Sequence, residues 1–177
     1  MKKKIFFGSV GGIFLTIAGL MFYVMTQMEI EHLISCSANK GGTRIPSSLC
    51  KYYLINYRIN EKSINELKKG VGLGYVLSME KDFPEYEMTK IFIVNGLGVN
   101  SVNHYGNVNV TPLQSAVLDN DVRGVKFLIK QGADVRIKNE RYGMTALEMA
   151  RKFHKEESKL ENRSEIIQML SDAENTS

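Results

Sequence analysis

The sequence predicts an all-α protein: a stack of helix–turn–helix repeats, an α-solenoid, preceded by one N-terminal transmembrane helix. Three observations predict it. The pattern Thr111-Pro112-Leu113 with Ala116 recurs as Thr145-Ala146-Leu147 with Ala150, 34 residues on. That period suits a helix pair which cannot bury its apolar face alone and stacks on its neighbours. Apolar residues recur at three- and four-residue spacing through each copy, and residues 5–28 carry no charged side chain at all. A stack offers a surface rather than a catalytic pocket.

The apolar run comes first. Its 24 residues follow Lys2-Lys3-Lys4 and, at helical rise, span roughly 36 Å, enough for a hydrocarbon core of about 30 Å with some tilt. The lysines before it, set against Glu29 and Glu31 after it, place the N-terminus in the cytoplasm and the rest outside. Residues 1–28 therefore read as a Lys tip and anchor of a single-pass bacterial inner-membrane protein with a periplasmic body. A cleaved secretory signal is the competing reading, but the run is too long and no small-x-small site follows it. Leu33-Ile34-Ser35-Cys36 is similar to a lipobox, yet Glu29, Glu31 and His32 separate it from the apolar run, which argues against lipidation.

Residues 29–62 read as a linker and capping helix, with Leu49–Ile59, apolar at helical spacing, as either a separate cap or the second helix of a still weaker repeat. The only cysteines, Cys36 and Cys50, lie here. In an oxidising compartment a disulfide between them would pin the Gly- and Pro-containing loop and stabilise by roughly 3 kcal/mol; two free thiols are the alternative. Two cysteines with His32 nearby are too few for a zinc site.

Residues 63–177 read as the repeat domain. Thr111 can accept from free amides at a helix start, and Pro112 at the first helical position loses nothing by lacking its amide. Leu113, Ala116 and Val117 make one apolar stripe, Asn120-Asp121 breaks it, and a second stripe runs through Val125, Leu128 and Ile129 to Gly132, a left-handed helix end. The second copy closes on Ile166, Ile167, Met169 and Leu170 after a seven-residue insertion around the charged run 155–162. Upstream, Lys90–Asn100 lines up with Lys126–Arg136, so that Gly96 takes the part of Gly132. This third copy would have its first helix within Ile64–Leu77.

These residues resemble the ankyrin repeat, whose opening Gly-x-Thr-Pro-Leu-x-x-Ala and closing Gly-Ala-Asp-Val are met by Thr111, Pro112, Leu113, Ala116, Gly132, Ala133, Asp134 and Val135. Asn109 stands where the pattern has its first glycine. In the second copy Gly143, Thr145, Leu147 and Ala150 match, Ala146 replaces the proline, and no closing motif follows. The resemblance implies an ankyrin-like stack whose inter-repeat turns project as fingers and whose first helices line a concave binding face. The implied partner-binding residues are Asn103, His104 and Tyr105 on a finger at Ser101–Asn109, and Lys138, Arg141 and Tyr142 on one at Lys138–Gly143. The first helices would add Ser115, Asp119, Met149, Phe153 and His154.

No enzyme signature emerges. Lys69-Gly70-Val71-Gly72-Leu73-Gly74 lacks the ending of a phosphate loop and reads as a bend between helices. His32, His104 and His154 are scattered, and Glu156, Glu157 and Glu161 with Lys155 and Lys159 read as a solvated helix face. The chain carries 23 Lys and Arg against 19 Asp and Glu, three of the lysines before the apolar run, so the remainder is nearly balanced at +1. Nucleic acid thereby loses its electrostatic support. The expectation is a binding module with no catalytic residue, no cofactor, no metal and no small-molecule substrate. Its partners would be the membrane and a periplasmic protein: a toxin that an immunity protein neutralises, or an envelope enzyme held by a scaffold.

Overall fold

The computed structural model describes the backbone of all residues except 1, 84, 105–108, 157–162 and 177, and the side chains of all but these and 2–11, 13, 14, 155 and 156. Its described residues form ten α-helices and one isolated β-bridge, Asn103 to Val110. They divide into two compact units, Met1–Arg58 and Ile59–Ser177. The segment 29–62 is thus split, its last residues joining the repeats.

The first unit holds α1 (Lys2–Gln27), α2 (Ile30–Ser37), α3 (Ser47–Tyr53) and a single π-helical turn, Leu54–Arg58. Leu33, Ile34, Cys36, Cys50 and Leu54 are buried between them. A Cys36–Cys50 disulfide, Cα atoms 5.8 Å apart, ties α2 to α3. The Thr43 hydroxyl donates to Cys36 Sγ at 3.1 Å, and Arg58 donates to the Met28 carbonyl at 2.8 Å. The run Leu49–Ile59 is therefore neither a repeat helix nor one continuous α-helix. Residues 1–28 are helical over nearly their whole length, but the side chains of their first half lie outside the described residues. Among the described residues no helix is long and apolar enough to cross a membrane.

The second unit runs through α4 (Glu61–Lys69), α5 (Gly72–Glu80), α6 (Glu87–Val94), α7 (Pro112–Leu118), α8 (Val122–Lys130), α9 (Ala146–Glu156) and α10 (Ser164–Thr176). Helices pair as α5 with α6, α7 with α8 and α9 with α10, while the first helices stack α5 on α7 on α9. The α7–α8 and α9–α10 pairs are the two copies read from the sequence. The third copy is α5–α6: Leu97 donates its amide to the Phe92 carbonyl as Ala133 does to that of Leu128, both at 2.9 Å, with Gly96 and Gly132 at positive φ. Its first helix is Gly72–Glu80, which begins inside the expected Ile64–Leu77 and runs three residues beyond it. Gly70 ends α4 there, so the glycine-rich bend is confined to Gly70-Val71 and Gly72-Leu73-Gly74 is already helical.

Phe92, Leu113, Val117, Val125, Leu128, Met149, Ile166 and Leu170 are almost wholly inaccessible and form the continuous core of the stack. Close approach is built in. A Cβ at Gly74 would lie 3.3 Å from Ser115 Cβ and 3.6 Å from Pro112 Cα, so α5 and α7 meet nearly backbone to backbone. Residues 157–162, and the side chains of Lys155 and Glu156, lie outside the described residues, so the charged run of the insertion is not described.

Candidate functional site: the finger face

The fingers are fixed by the helix starts below them. Thr111 closes a capping box on α7: its hydroxyl accepts from the Gln114 amide at 3.2 Å and its amide donates to Gln114 Oε1 at 3.0 Å. Thr145 repeats it on α9 with Glu148, at 3.2 and 2.8 Å. Two orphan amides are satisfied at each start, and the chain enters both helices at the same angle. Two residues earlier stand Asn109 and Gly143, at φ 42° and 63°. Asparagine replaces the family's glycine because it tolerates the left-handed backbone.

Between these points the turns are held by hydrogen bonds within each finger and from one repeat to the next. The Asn103 amide bonds the Val110 carbonyl at 2.8 Å, and the His104 amide bonds the Gly70 carbonyl at 3.0 Å. The Asn139 side chain, only 1% exposed, donates to the Asn109 carbonyl at 2.8 Å and accepts from the amides of Arg141 and Tyr142 at 3.0 and 2.9 Å. Asn109 in turn donates to Glu140 at 3.0 Å. Asn100 accepts from the Asp134 amide across repeats, and Gln114 reaches the Ile137 carbonyl within its own, both at 2.9 Å. Such bridges hold the fingers as a row rather than as separate loops.

What the row presents can now be stated. Arg141 and Tyr142 lie at the tip of the second finger, both exposed, the guanidinium 5.4 Å from the ring centre. Tyr142 keeps 47% of its surface open, so it does not pack between fingers. Lys138 and His104 are exposed and Asn103 is half-buried. Tyr105 lies outside the described residues. Asp119 is exposed at the C-terminus of α7, yet partial burial of its carboxyl, with Asp121 adding, raises its pKa against the opposing pull of Lys81 and Arg163.

One first-helix expectation needs correction. Met149 is fully buried, so it is a core residue and not part of an exposed face. Its counterpart one repeat earlier is Ser115, half-buried against Gly74. The shared position faces the preceding first helix rather than solvent. Phe153 is half-buried under Arg163, whose guanidinium lies 5.7 Å from the ring centre, and His154 Nδ1 accepts the Arg163 amide at 3.4 Å.

The residues that sequence reasoning missed are those that lock the helices together, within a repeat or between repeats. Arg163, 3% exposed, donates to the Val117 and Leu118 carbonyls and so caps the C-terminus of α7 from the next repeat. Glu80, 5% exposed, accepts the amides of Met88 and Thr89 and the Thr89 hydroxyl, at 2.9, 2.7 and 2.7 Å, and so caps α6. Asp121 caps α8 through the Gly124 amide at 2.9 Å and also accepts the Tyr86 hydroxyl at 2.9 Å. Burial, with that hydrogen bond and the Asp121 charge adding, pushes the Tyr86 phenol well above its usual pKa. A signal existed only for the capping boxes, in Thr111-x-x-Gln114 and Thr145-x-x-Glu148.

No curated protein matches the chain. Residues 109–140 match the family model described as the ankyrin repeat, so the α7–α8 pair with its two finger bases is similar to that protein–protein interaction module.

Proposed function

We propose that this chain is a membrane-anchored binding protein of no catalytic activity, whose finger face captures and neutralises a periplasmic protein in the manner of an immunity protein. The observation that carries the binding face is the stacked Arg141–Tyr142 pair, exposed at the tip of a finger whose base is pinned by the buried Asn139. Arginine and tyrosine dominate binding hot spots because both bring large, stiff contact area with a polar handle. A pre-ordered loop also loses little entropy on binding. Lys138, His104, Asn103 and Asp119 extend the face. The anchor is supported by the uncharged run 5–28 behind three lysines, and the periplasmic setting by the same charge asymmetry together with the Cys36–Cys50 pair.

Two experiments test the reading. Affinity capture with the full chain, compared with an Arg141→Glu, Tyr142→Ala double variant, should recover its partner only with the unaltered protein; equal recovery would end the finger assignment. Deleting the gene should be tolerated only when a neighbouring toxin gene is inactive. Normal growth with an active toxin, alongside retained capture of an envelope enzyme, would replace neutralisation with a scaffold role.

A further inference from the structure

The first unit carries an apolar surface that its own fold leaves uncovered. On α1, Leu15, Leu20, Phe22 and Tyr23 are exposed, as are Leu49, Tyr52 and Tyr57 in the rest of the unit. Tyr52 and Tyr57 keep 59% and 54% of their surface open. These rings are not scattered. Phe22 meets Tyr53 and Tyr57 edge-on with centres 5.2 and 6.2 Å apart, Tyr53 stacks on Tyr57 at 5.4 Å, and Tyr52 approaches Tyr57 at 6.3 Å.

Two grooves of about 380 and 390 Å³ flank α1 within this unit. One is walled by Ile17, Leu20 and Val24 against the loop Thr43–Ile45, with Arg44 as its only charged lining residue. The other is walled by Met21, Phe22 and Met25 against Leu49 and Tyr52. The disulfide closes the loop that carries Thr43–Ile45 and Leu49, which constrains the walls of both grooves.

We infer that the α2–α3 hairpin is seated on the lipid surface, its Leu49, Tyr52 and Tyr57 side immersed at the headgroup level and its two grooves taking acyl chains. The inference rests on the proposed reading of residues 1–28 as a membrane anchor. Depth argues for lipid rather than a protein partner. Phe22, on which the aromatic cluster is built, lies six residues before the end of the uncharged run at Met28, about 9 Å along a helix. With a core of about 30 Å centred on the run, that is about 6 Å inside its outer edge, next to the zone where amphipathic rings concentrate. Both grooves also run along the uncharged helix itself, and Arg44 at the rim of the first matches a phosphodiester in charge.

The chain has no tryptophan, so a single substitution reports one site. Full-length Tyr52→Trp, Leu49→Trp, Leu15→Trp and Tyr142→Trp proteins are reconstituted in phosphatidylcholine–phosphatidylglycerol vesicles. Each is quenched with brominated lipid and, separately, with aqueous acrylamide. The seating predicts that Tyr52→Trp and Leu49→Trp lose most of their emission to brominated lipid and resist acrylamide, as Leu15→Trp does, while Tyr142→Trp behaves oppositely. Quenching by lipid at 15 but at neither 49 nor 52 would overturn the seating and leave the anchor standing. No lipid quenching at 15 would remove the anchor and the seating together. Resistance at 49 and 52 to both quenchers would mean that a second copy or another protein covers the patch, which also overturns the inference.

Discussion

Replacing Glu80 tests whether the two helices of the first pair are joined as described, because its carboxylate is the only side-chain cap described for α6. That helix has no cap from its own entry residue, Tyr86. Glu80 instead accepts three hydrogen bonds at 2.9, 2.7 and 2.7 Å inside the protein. Glu80→Ala strands two helix-start amides and a hydroxyl away from water. Hydrogen bonds to a charged group contribute about 1.5–3 kcal/mol each and do not sum, so the loss should be roughly 3–5 kcal/mol. Glu80→Gln can keep both bonds to Thr89 but turns its own NH₂ against the Met88 amide, costing about 1–3 kcal/mol. In urea unfolding of the full chain followed by circular dichroism, a slope near 2 kcal/mol/M converts the alanine loss into a midpoint fall of about 1.5–2.5 M. An alanine variant within about 0.5 kcal/mol of the parent, or a glutamine variant weaker than the alanine one, would refute the reasoning.

Other outcomes follow from the same structure. Gly124→Ala places a Cβ 2.5 Å from Asp121 Oδ2 and 3.2 Å from Leu77 Cδ2; it should destabilise by about 1–3 kcal/mol in thermal unfolding although alanine favours helix. Asp119 has a folded pKa raised mainly by burial, so its ionised form is penalised above that value and the penalty disappears as pH falls below the unfolded value near 4. Asp119→Asn should therefore unfold at higher temperature than the parent at pH 7, and the gap should close on acidification; a gap independent of pH would contradict this. Reducing the Cys36–Cys50 link, whose separation is 14 residues, should destabilise the first unit by roughly 3 kcal/mol. Hydrogen exchange should show the loss in α2 and α3 and spare α7 to α10.

The parts of the fold legible in the sequence are those fixed by a residue acting on its own backbone. Thr111 and Pro112 start a helix, Gly132 and Gly96 end one, and Asn109 substitutes for glycine at a left-handed turn, all through conformations that neighbouring residues cannot override. Hence the pairs α7–α8 and α9–α10, and the α6 half of a third, could be read directly. The first helix of that third pair could not be delimited, because Gly70 and Gly74 look alike in sequence and only packing distinguishes a helix end from a helix–helix contact. Glu80 and Arg163 were invisible for a related reason. Each caps a helix other than its own, Arg163 across a separation of 46 residues to Val117, and neither leaves a local pattern. Met149 was misplaced because family analogy assigns a face without the helix phase, whereas its counterpart Ser115 touches Gly74 and so points into the stack.

Amide hydrogen exchange of the full chain measures the central claim most directly, that three helix pairs stand in register with their fingers bonded in a row. The amides of His104 and Asp134 have partners in a distant segment only if the repeats are stacked. Stacking predicts that these turn amides exchange slowly, with protection approaching that of Val125 and Leu128 in the core. Exchange at the rate of an unstructured loop, with α7 and α8 still protected, would contradict it.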